Sequence, residues 1–169
     1  MQGNDIGVIA PYVAQITLLN RLFNIDAQWK KRFQDVLGSR RAMQIANIEV
    51  KTVDGFEGRE KDVIIFSTVR NNSKGHIGFL ADRRRLNVGL TRAKRGLFVV
   101  GSINTLKAGK VSGGDGSVER VGKGAEAWRR YAQFLTEHDL IVQLTCTDLK
   151  RVLYGNLLEN GQHIYDHAR

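Results

Sequence analysis

Residues 62–69, Asp62-Val63-Ile64-Ile65-Phe66-Ser67-Thr68-Val69, form an apolar run with almost no polar relief, and they constrain the fold more than any other stretch. A strand with one wet face alternates apolar with polar residues. A strand apolar at successive positions is covered on both faces, as parallel sheets are. Asp5-Ile6-Gly7-Val8-Ile9-Ala10, closed by Pro11, the only proline, has the same character, and so does Leu97-Phe98-Val99-Val100. Residues 48–53 alternate and read as a further strand. Parallel neighbours need crossovers rather than hairpins, and the segments between the runs supply them. Val13 to about Leu37 is helical in pattern, with Ile16, Leu19, Leu22 and Phe23 on one side. It breaks near residues 24–26 and resumes with Trp29, Phe33, Val36 and Leu37. The expected class is α/β, a parallel sheet with helices on both faces.

Chemistry concentrates at residues 82–94, Asp-Arg-Arg-Arg-Leu-Asn-Val-Gly-Leu-Thr-Arg-Ala-Lys. Taken as one helix, Leu86, Leu90 and Ala93 make an apolar stripe. Arg85, Gly89 and Arg92 make a neighbouring stripe, which sets two guanidiniums one heptad apart on one side, with a low glycine between them. Lys94-Arg95-Gly96 then stops the helix. An arginine-rich helix is ordinarily a solvated basic face. Here the flanking segments are apolar and Asn87 and Thr91 add polar groups at i, i+4, so the helix is half buried and its charges point at a phosphate.

At 169 residues and 19.0 kDa the chain suits one domain with a sizeable core. The formal net charge of +9 calls for a polyanionic partner, nucleic acid before membrane. A lone cysteine, Cys146, excludes an internal disulfide framework, reads as a semi-buried small apolar residue, and suggests a reducing compartment. No signal-peptide pattern and no apolar run of membrane-spanning length is present, so a cytoplasmic or nuclear protein is expected. A strand this close to Met1 suggests a piece of a longer chain.

Residues 103–124 read as a flexible Gly-rich insertion. Within it, Gly116 to Lys123 fails as a phosphate-binding P-loop, because five residues rather than four separate Gly116 from Gly122 and Gly124 replaces the hydroxyl residue. Residues 125–138 read as an amphipathic helix with Trp128, Tyr131, Ala132 and Leu135 inward, and Leu140-Ile141-Val142 as a last short strand. The domain is expected over 1–146, with a tail over 147–169 that holds one more helix. His163 and His167 have a metal-ligand spacing but no third ligand nearby, so no metal site is expected.

Three segments, in order, carry a resemblance. Ile6-Gly7-Val8-Ile9-Ala10-Pro11-Tyr12-Val13-Ala14-Gln15 resembles the IGIITPYxxQ segment of superfamily 1 helicases. Residues 52–62, Thr-Val-Asp-Gly-Phe-Glu-Gly-Arg-Glu-Lys-Asp, resemble helicase motif V, SVDxFQGREKD. Gly78-Phe79-Leu80 through Lys94 resembles motif VI, GFLxDxRRLNVALTRAK. The family is that of the nonsense-mediated-decay RNA helicase, senataxin and their relatives, including DNA-directed members. The likeness covers most of residues 5–102, with a weaker echo from Trp128 to Leu144.

The resemblance implies a motor of two RecA-like domains with ATP between them. The first supplies the P-loop lysine and the acidic Mg²⁺ site; the second supplies arginine fingers and half of the nucleic-acid track. This chain is similar to the second alone, and is expected to lack that domain's opening strand and helix. Its implied fold is the RecA-like form of the P-loop NTPase fold. Its implied cofactors are ATP and Mg²⁺, bound mainly by the first domain; its implied partners are that N-terminal RecA-like domain and single-stranded RNA or DNA, with no membrane.

Residue by residue, Arg92 matches the motif VI arginine that reaches the γ-phosphate, a finger that contributes about 10³–10⁵ in rate. Arg85 supports it or touches the same site. Gly58 and Glu60 match motif V positions at the nucleotide edge, against the plain alternative that Glu60 is a surface carboxylate paired with a lysine. Thr52, Arg70, Asn71 and Asn72 are candidate strand-backbone contacts. Tyr12 and Gln15 lie near the same track, where packing and base stacking are equally open for Tyr12. The chain departs from the family at Glu57, usually glutamine, which either weakens polyanion contact or re-pairs with Arg59 or Lys61. Gly89, usually alanine, costs about 1 kcal/mol of helix stability.

The expected function is the second motor domain of an ATP-dependent, 5′→3′ helicase, inactive as an ATPase by itself. The rivals are a non-catalytic nucleic-acid-binding module derived from a helicase, and a structural domain in which Arg85 and Arg92 are buried against carboxylates of their own chain.

Overall fold

The computed structural model describes residues 1–110 and 123–151. Its centre is a four-stranded, all-parallel sheet in the order β2-β1-β3-β4. The strands are β1 (Ile6–Ile9), β2 (Glu49–Lys51), β3 (Lys61–Ser67) and β4 (Ala93–Val100). Register places Gly7 beside Ile64 and Ile9 beside Phe66, and Ile64 in turn beside Leu97. The sheet expected from the apolar runs is therefore present, with the expected crossovers.

α1 (Val13–Asn24) and α2 (Ala27–Leu37) join β1 to β2, with a short α3 (Ser39–Ala42) after them. The break between α1 and α2 has a local cause: the Asp26 carboxylate accepts hydrogen bonds from the backbone N–H groups of Gln28 and Trp29 at 3.0 and 3.1 Å and caps α2. α2 stops at Gly38, whose φ of 76° is the left-handed region that favours glycine.

The main core lies on the other face of the sheet. There α4 (Arg83–Leu90) and α6 (Lys123–Glu137) cover Ile9, Ile64 and Phe66 with Leu86, Trp128 and Ala132, while Val53 and Phe56 close the β2 side. The fully buried Trp128 ring donates from Nε1 to the Leu80 carbonyl at 2.9 Å, so its one polar atom is satisfied. Two glycines permit this packing. A Cβ on Gly7 would stand 2.6 Å from the Phe56 ring, and one on Gly124 would stand 1.9 Å from the Ala81 carbonyl oxygen. Phe56, fully buried over Gly7, is the side chain whose truncation to alanine costs about 3–5 kcal/mol.

Several expectations are corrected. Residues 103–108 are no loose insertion: they form α5 (Ile103–Ala108), capped by Ser102, ended by a left-handed Gly109, and anchored by buried Thr105 and Leu106. Residues 111–122, with most of the rejected P-loop, lie outside the described residues, as do His163 and His167. Leu140-Ile141-Val142 is not a strand; Leu140 and Val142 are exposed, and among the described residues no strand pairs with them. Residues 146–151 are helical, and Cys146 is exposed rather than semi-buried. β4, apolar at successive positions, is covered on one face only. Leu97 and Val99 pack against the core, whereas Phe98 is 61% exposed and Val100 54%.

Candidate functional site

The candidate residues fall at opposite edges of the sheet. β1 connects toward β2 on one side and β3 toward β4 on the other, so the strand order reverses between β1 and β3. The crevice beyond the carboxyl ends of such a pair is where open α/β sheets bind ligands. Tyr12 follows β1 and Arg70 follows β3, so both stand there. The Arg70 Nε donates to the Tyr12 hydroxyl at 2.7 Å, with the guanidinium 5.1 Å from the ring centroid.

From Tyr12 the contacts continue as a row. Phe79 packs against Tyr12 with centroids 6.0 Å apart, and the Arg85 guanidinium lies 4.0 Å over the Phe79 ring. Arg85 then forms a two-pronged pair with Asp54, Nε to Oδ1 at 3.1 Å and Nη2 to Oδ2 at 3.2 Å, with Asp82 at 3.6 Å. The hydrogen bond that Arg85 donates to Asp54 raises the Arg85 pKa above its ordinary value, desolvation opposes it, and the charges of Asp54 and Asp82 reinforce it. Asp82 also caps α4, accepting from the N–H groups of Arg84 and Arg85.

At the same edge a shallow cleft of about 290 Å³ is lined by Ser67, Val69, Arg70, Asn71, Val100, Gly101 and Ser102. Val69 beside it holds φ at 62°, a left-handed conformation that costs a β-branched residue about 1–3 kcal/mol. Next to it the Thr68 hydroxyl is buried without a hydrogen-bond partner. Backbone strain of this kind clusters at functional sites, and an orphaned buried polar atom calls for an explanation. Asn71 is exposed in the cleft. Asn72 is committed elsewhere: its side chain donates to the His76 carbonyl and accepts from the His76 N–H, both at 2.9 Å. The Thr52 Oγ1 accepts from the Gly55 N–H at 3.1 Å, which leaves its own proton to donate. Gln15 lies half-buried in the first turn of α1.

The opposite edge, where β3 and β4 begin, holds the remaining candidates. Arg92 lies in the link between α4 and β4, its carbonyl accepting from the Lys61 N–H at 3.1 Å. Its Nη2 donates to the Thr91 hydroxyl at 3.0 Å, and its Nε is buried with no partner. Among the described residues no carboxylate pairs with it. Glu60 approaches Lys94 at 3.9 Å with both side chains about half exposed, a loose version of the lysine pairing. Gly58 has φ of 73° and follows Glu57 at φ −59°, ψ 131°, while Arg59 N–H reaches the Phe56 carbonyl: this is a type II turn, which requires glycine at its third position. Nothing stands within 4 Å of the space a Gly58 Cβ would take, so the turn is open to a ligand.

Three local expectations are corrected here. The helix of residues 82–94 ends at Leu90. The Thr91 hydroxyl turns back to the Asn87 carbonyl at 2.8 Å, and Ala93 and Lys94 are already in β4. Arg85 lies in the helix and Arg92 beyond its end, so the two do not share a helix face. Gly89 faces the sheet, not an anion: a Cβ there would stand 2.3 Å from the Phe66 ring. Glu57 does not re-pair with Arg59 or Lys61, since both reach Glu49 instead.

The sequence reading passed over Asp54, Phe79 and Asp82. Asp82 was legible as an acidic cap directly before a helix. Asp54 and Phe79 carried no signal beyond their place in the motifs.

Comparisons with known proteins show the family of the chain. A family model described as an AAA domain matches residues 1–104, which end just inside α5. The chain is 46% identical over 104 residues to DNA polymerase alpha-associated DNA helicase A of Saccharomyces cerevisiae, covering 62% of this chain and 13% of that protein. It is 46% identical over 102 residues to helicase sen1 of Schizosaccharomyces pombe, covering 60% and 5%. With the regulator of nonsense transcripts 1 homolog of Drosophila melanogaster it shares 34% over 149 residues, covering 88% and 10%. The chain thus spans between 5% and 17% of the length of these and similar relatives.

Proposed function

We propose a function from one premise: the chain belongs to the AAA domain family, among the superfamily 1 helicases of the nonsense-mediated-decay and senataxin-like type. In that setting it is the second motor domain of an ATP-dependent RNA or DNA helicase. Arg92 is its arginine finger, and Tyr12, Gln15, Thr52, Arg70 and Asn71 belong to its strand track.

The observation that carries this reading is the state of Arg92. Its Nε is buried and unpartnered, and among the described residues its guanidinium hydrogen-bonds a neutral hydroxyl and no carboxylate. Arg59, Arg85, Arg95 and Arg130, in contrast, all pair with carboxylates of the chain. A buried donor without an acceptor costs free energy unless a partner arrives. The donor set fits a phosphate, and the open turn at Gly58 leaves room beside it.

ATP, when bound with Mg²⁺ to the companion domain, supplies the phosphoryl group whose transfer to water drives the motor. Toward it Arg92 contributes fixed positive charge where negative charge develops, already oriented and partly out of water. Glu60 and Gly58 flank the nucleotide edge. Arg85 is spoken for by Asp54 and acts by position, fixing the start of α4 against the motif V loop. At the far edge Arg70, Asn71 and Thr52 offer donors to a strand backbone, and the net charge of +9 makes strand binding salt-dependent. Opening and closing of the interdomain cleft then alternates the grip on the strand.

The test is ATP hydrolysis by the full-length parent, with and without single-stranded RNA and DNA, for wild type and Arg92→Ala. Strand-stimulated hydrolysis that collapses in the variant supports the motor. A parent that binds strand and never hydrolyses ATP is the helicase-derived binding module instead. The purely structural reading has support at Arg85, which its own chain neutralises, and none at Arg92.

A further inference from the structure

The helical lobe α1–α3 and the residues just beyond its helices leave large apolar side chains exposed, among them Val13, Leu18, Ile25, Leu37 and Met43. Phe23, Trp29 and Phe33 stack with ring centroids 6.1 and 5.8 Å apart, yet no residue of α1, α2 or α3 is fully buried. Between these helices and the turn Ile45–Asn47 the surface opens into a pocket of about 240 Å³, floored by Phe23, Phe33, Ala42, Met43 and Ala46. Met43 at its lip is 65% exposed. The pocket lies on the sheet face opposite α4 and α6, and none of the motif V or motif VI residues lines it.

The segment that supplies most of its lining is strongly basic in sequence. Residues 27–43 hold Lys30, Lys31, Arg32, Arg40 and Arg41 against a single acid, Asp35, and Lys30 itself lines the pocket. The occupant must therefore bring an apolar anchor for the floor and negative charge for the rim. A volume below the roughly 300–1,000 Å³ of small-molecule sites suits one or two side chains of a larger partner. We propose that this pocket docks an acidic peptide segment of a partner protein, anchored by a bulky apolar side chain such as Phe or Leu. A nucleic-acid strand satisfies the rim but not the floor, where five apolar side chains leave only Lys30 and Gln34 to meet a base edge. An apolar anchor seated beside a lysine is an arrangement in which a few side chains carry most of the affinity. The inference is independent of the helicase reading.

The experiment is fluorescence anisotropy of a labelled synthetic peptide, rich in Asp and Glu with one Phe–Leu pair, titrated with the full-length protein. Controls are the same peptide with Phe and Leu replaced by Ser, and oligouridine as competitor. Saturable binding is expected, weakened about tenfold or more by Met43→Glu, and weakened with a flatter salt dependence by Arg40→Glu/Arg41→Glu. Circular dichroism confirms that the variants stay folded, and if Met43→Glu unfolds the protein, Met43→Ser takes its place. No binding of the Phe–Leu peptide, equal binding of the Ser peptide, or indifference to the Met43 variant overturns the proposal. So does oligouridine binding that itself depends on Met43, which makes the surface a strand contact.

Discussion

The two ends of α4 each present an arginine, and the chain treats them oppositely. At the start of the helix Arg85 is held by Asp54 through two hydrogen bonds, touched by Asp82, and laid on the Phe79 ring. Just past the end Arg92 has a buried, unpaired Nε and, among the described residues, no carboxylate partner. Arg85 completes its electrostatics within the fold; under the proposed function Arg92 leaves its own open for a phosphate. The difference shows that arginine spacing in a sequence says little about which arginine is available, because availability is decided by what the neighbouring loops bring up.

The largest effect that sharpens this contrast is at Arg92. Arg92→Ala in the full-length parent lowers strand-stimulated kcat by about 10³–10⁵, with the thermal midpoint nearly unchanged. Steady-state kinetics and calorimetry on the same preparation check both halves. A large loss of stability with little loss of rate breaks the contrast.

Next comes the buried side of the helix. Gly89→Ala pushes a methyl group to 2.3 Å from the Phe66 ring and destabilises by about 1–3 kcal/mol, read by denaturant titration. Phe66→Leu in the same chain recovers part of the loss, whereas a face open to solvent shows no such coupling. Arg85→Ala is milder. It lowers the melting temperature slightly at low salt and less in 1 M salt, because the pair with Asp54 is partly solvent-exposed. Asp54→Asn is the smallest, leaving turnover within about twofold. Combined with Arg85→Ala it adds little further loss of stability, and strictly additive losses show that the pair is not coupled.

The sheet was legible because β1 and β3 are apolar at successive positions, and burial on both faces leaves that trace. β4 left the same trace at Leu97-Phe98-Val99-Val100 although Phe98 and Val100 are bare, so composition alone did not distinguish a covered face from an uncovered one. α5 was missed because a helix of six residues between Ser102 and Gly109 sits beside a Gly-rich run and has too few turns to show a period. The end of α4 was missed for a related reason. Leu86, Leu90 and Ala93 keep helical spacing, and only the pairing of β4 with β3 pulls Ala93 into the sheet. Of the site, Arg92, Gly58 and Tyr12 stood out as motif residues. The row of Arg70, Tyr12, Phe79, Arg85 and Asp54 did not, because it joins side chains from four separate stretches of chain.

The central claim is that Arg92 is reserved for a phosphoryl group in transition. Binding of ADP with aluminium fluoride, a mimic of that state, and of ADP alone to the full-length protein tests it most directly, in wild type and Arg92→Ala. The account predicts that the variant binds ADP as wild type does but loses about 100-fold or more in affinity for the aluminium fluoride complex. Equal affinity of both proteins for both ligands, or an equal loss for both, contradicts it.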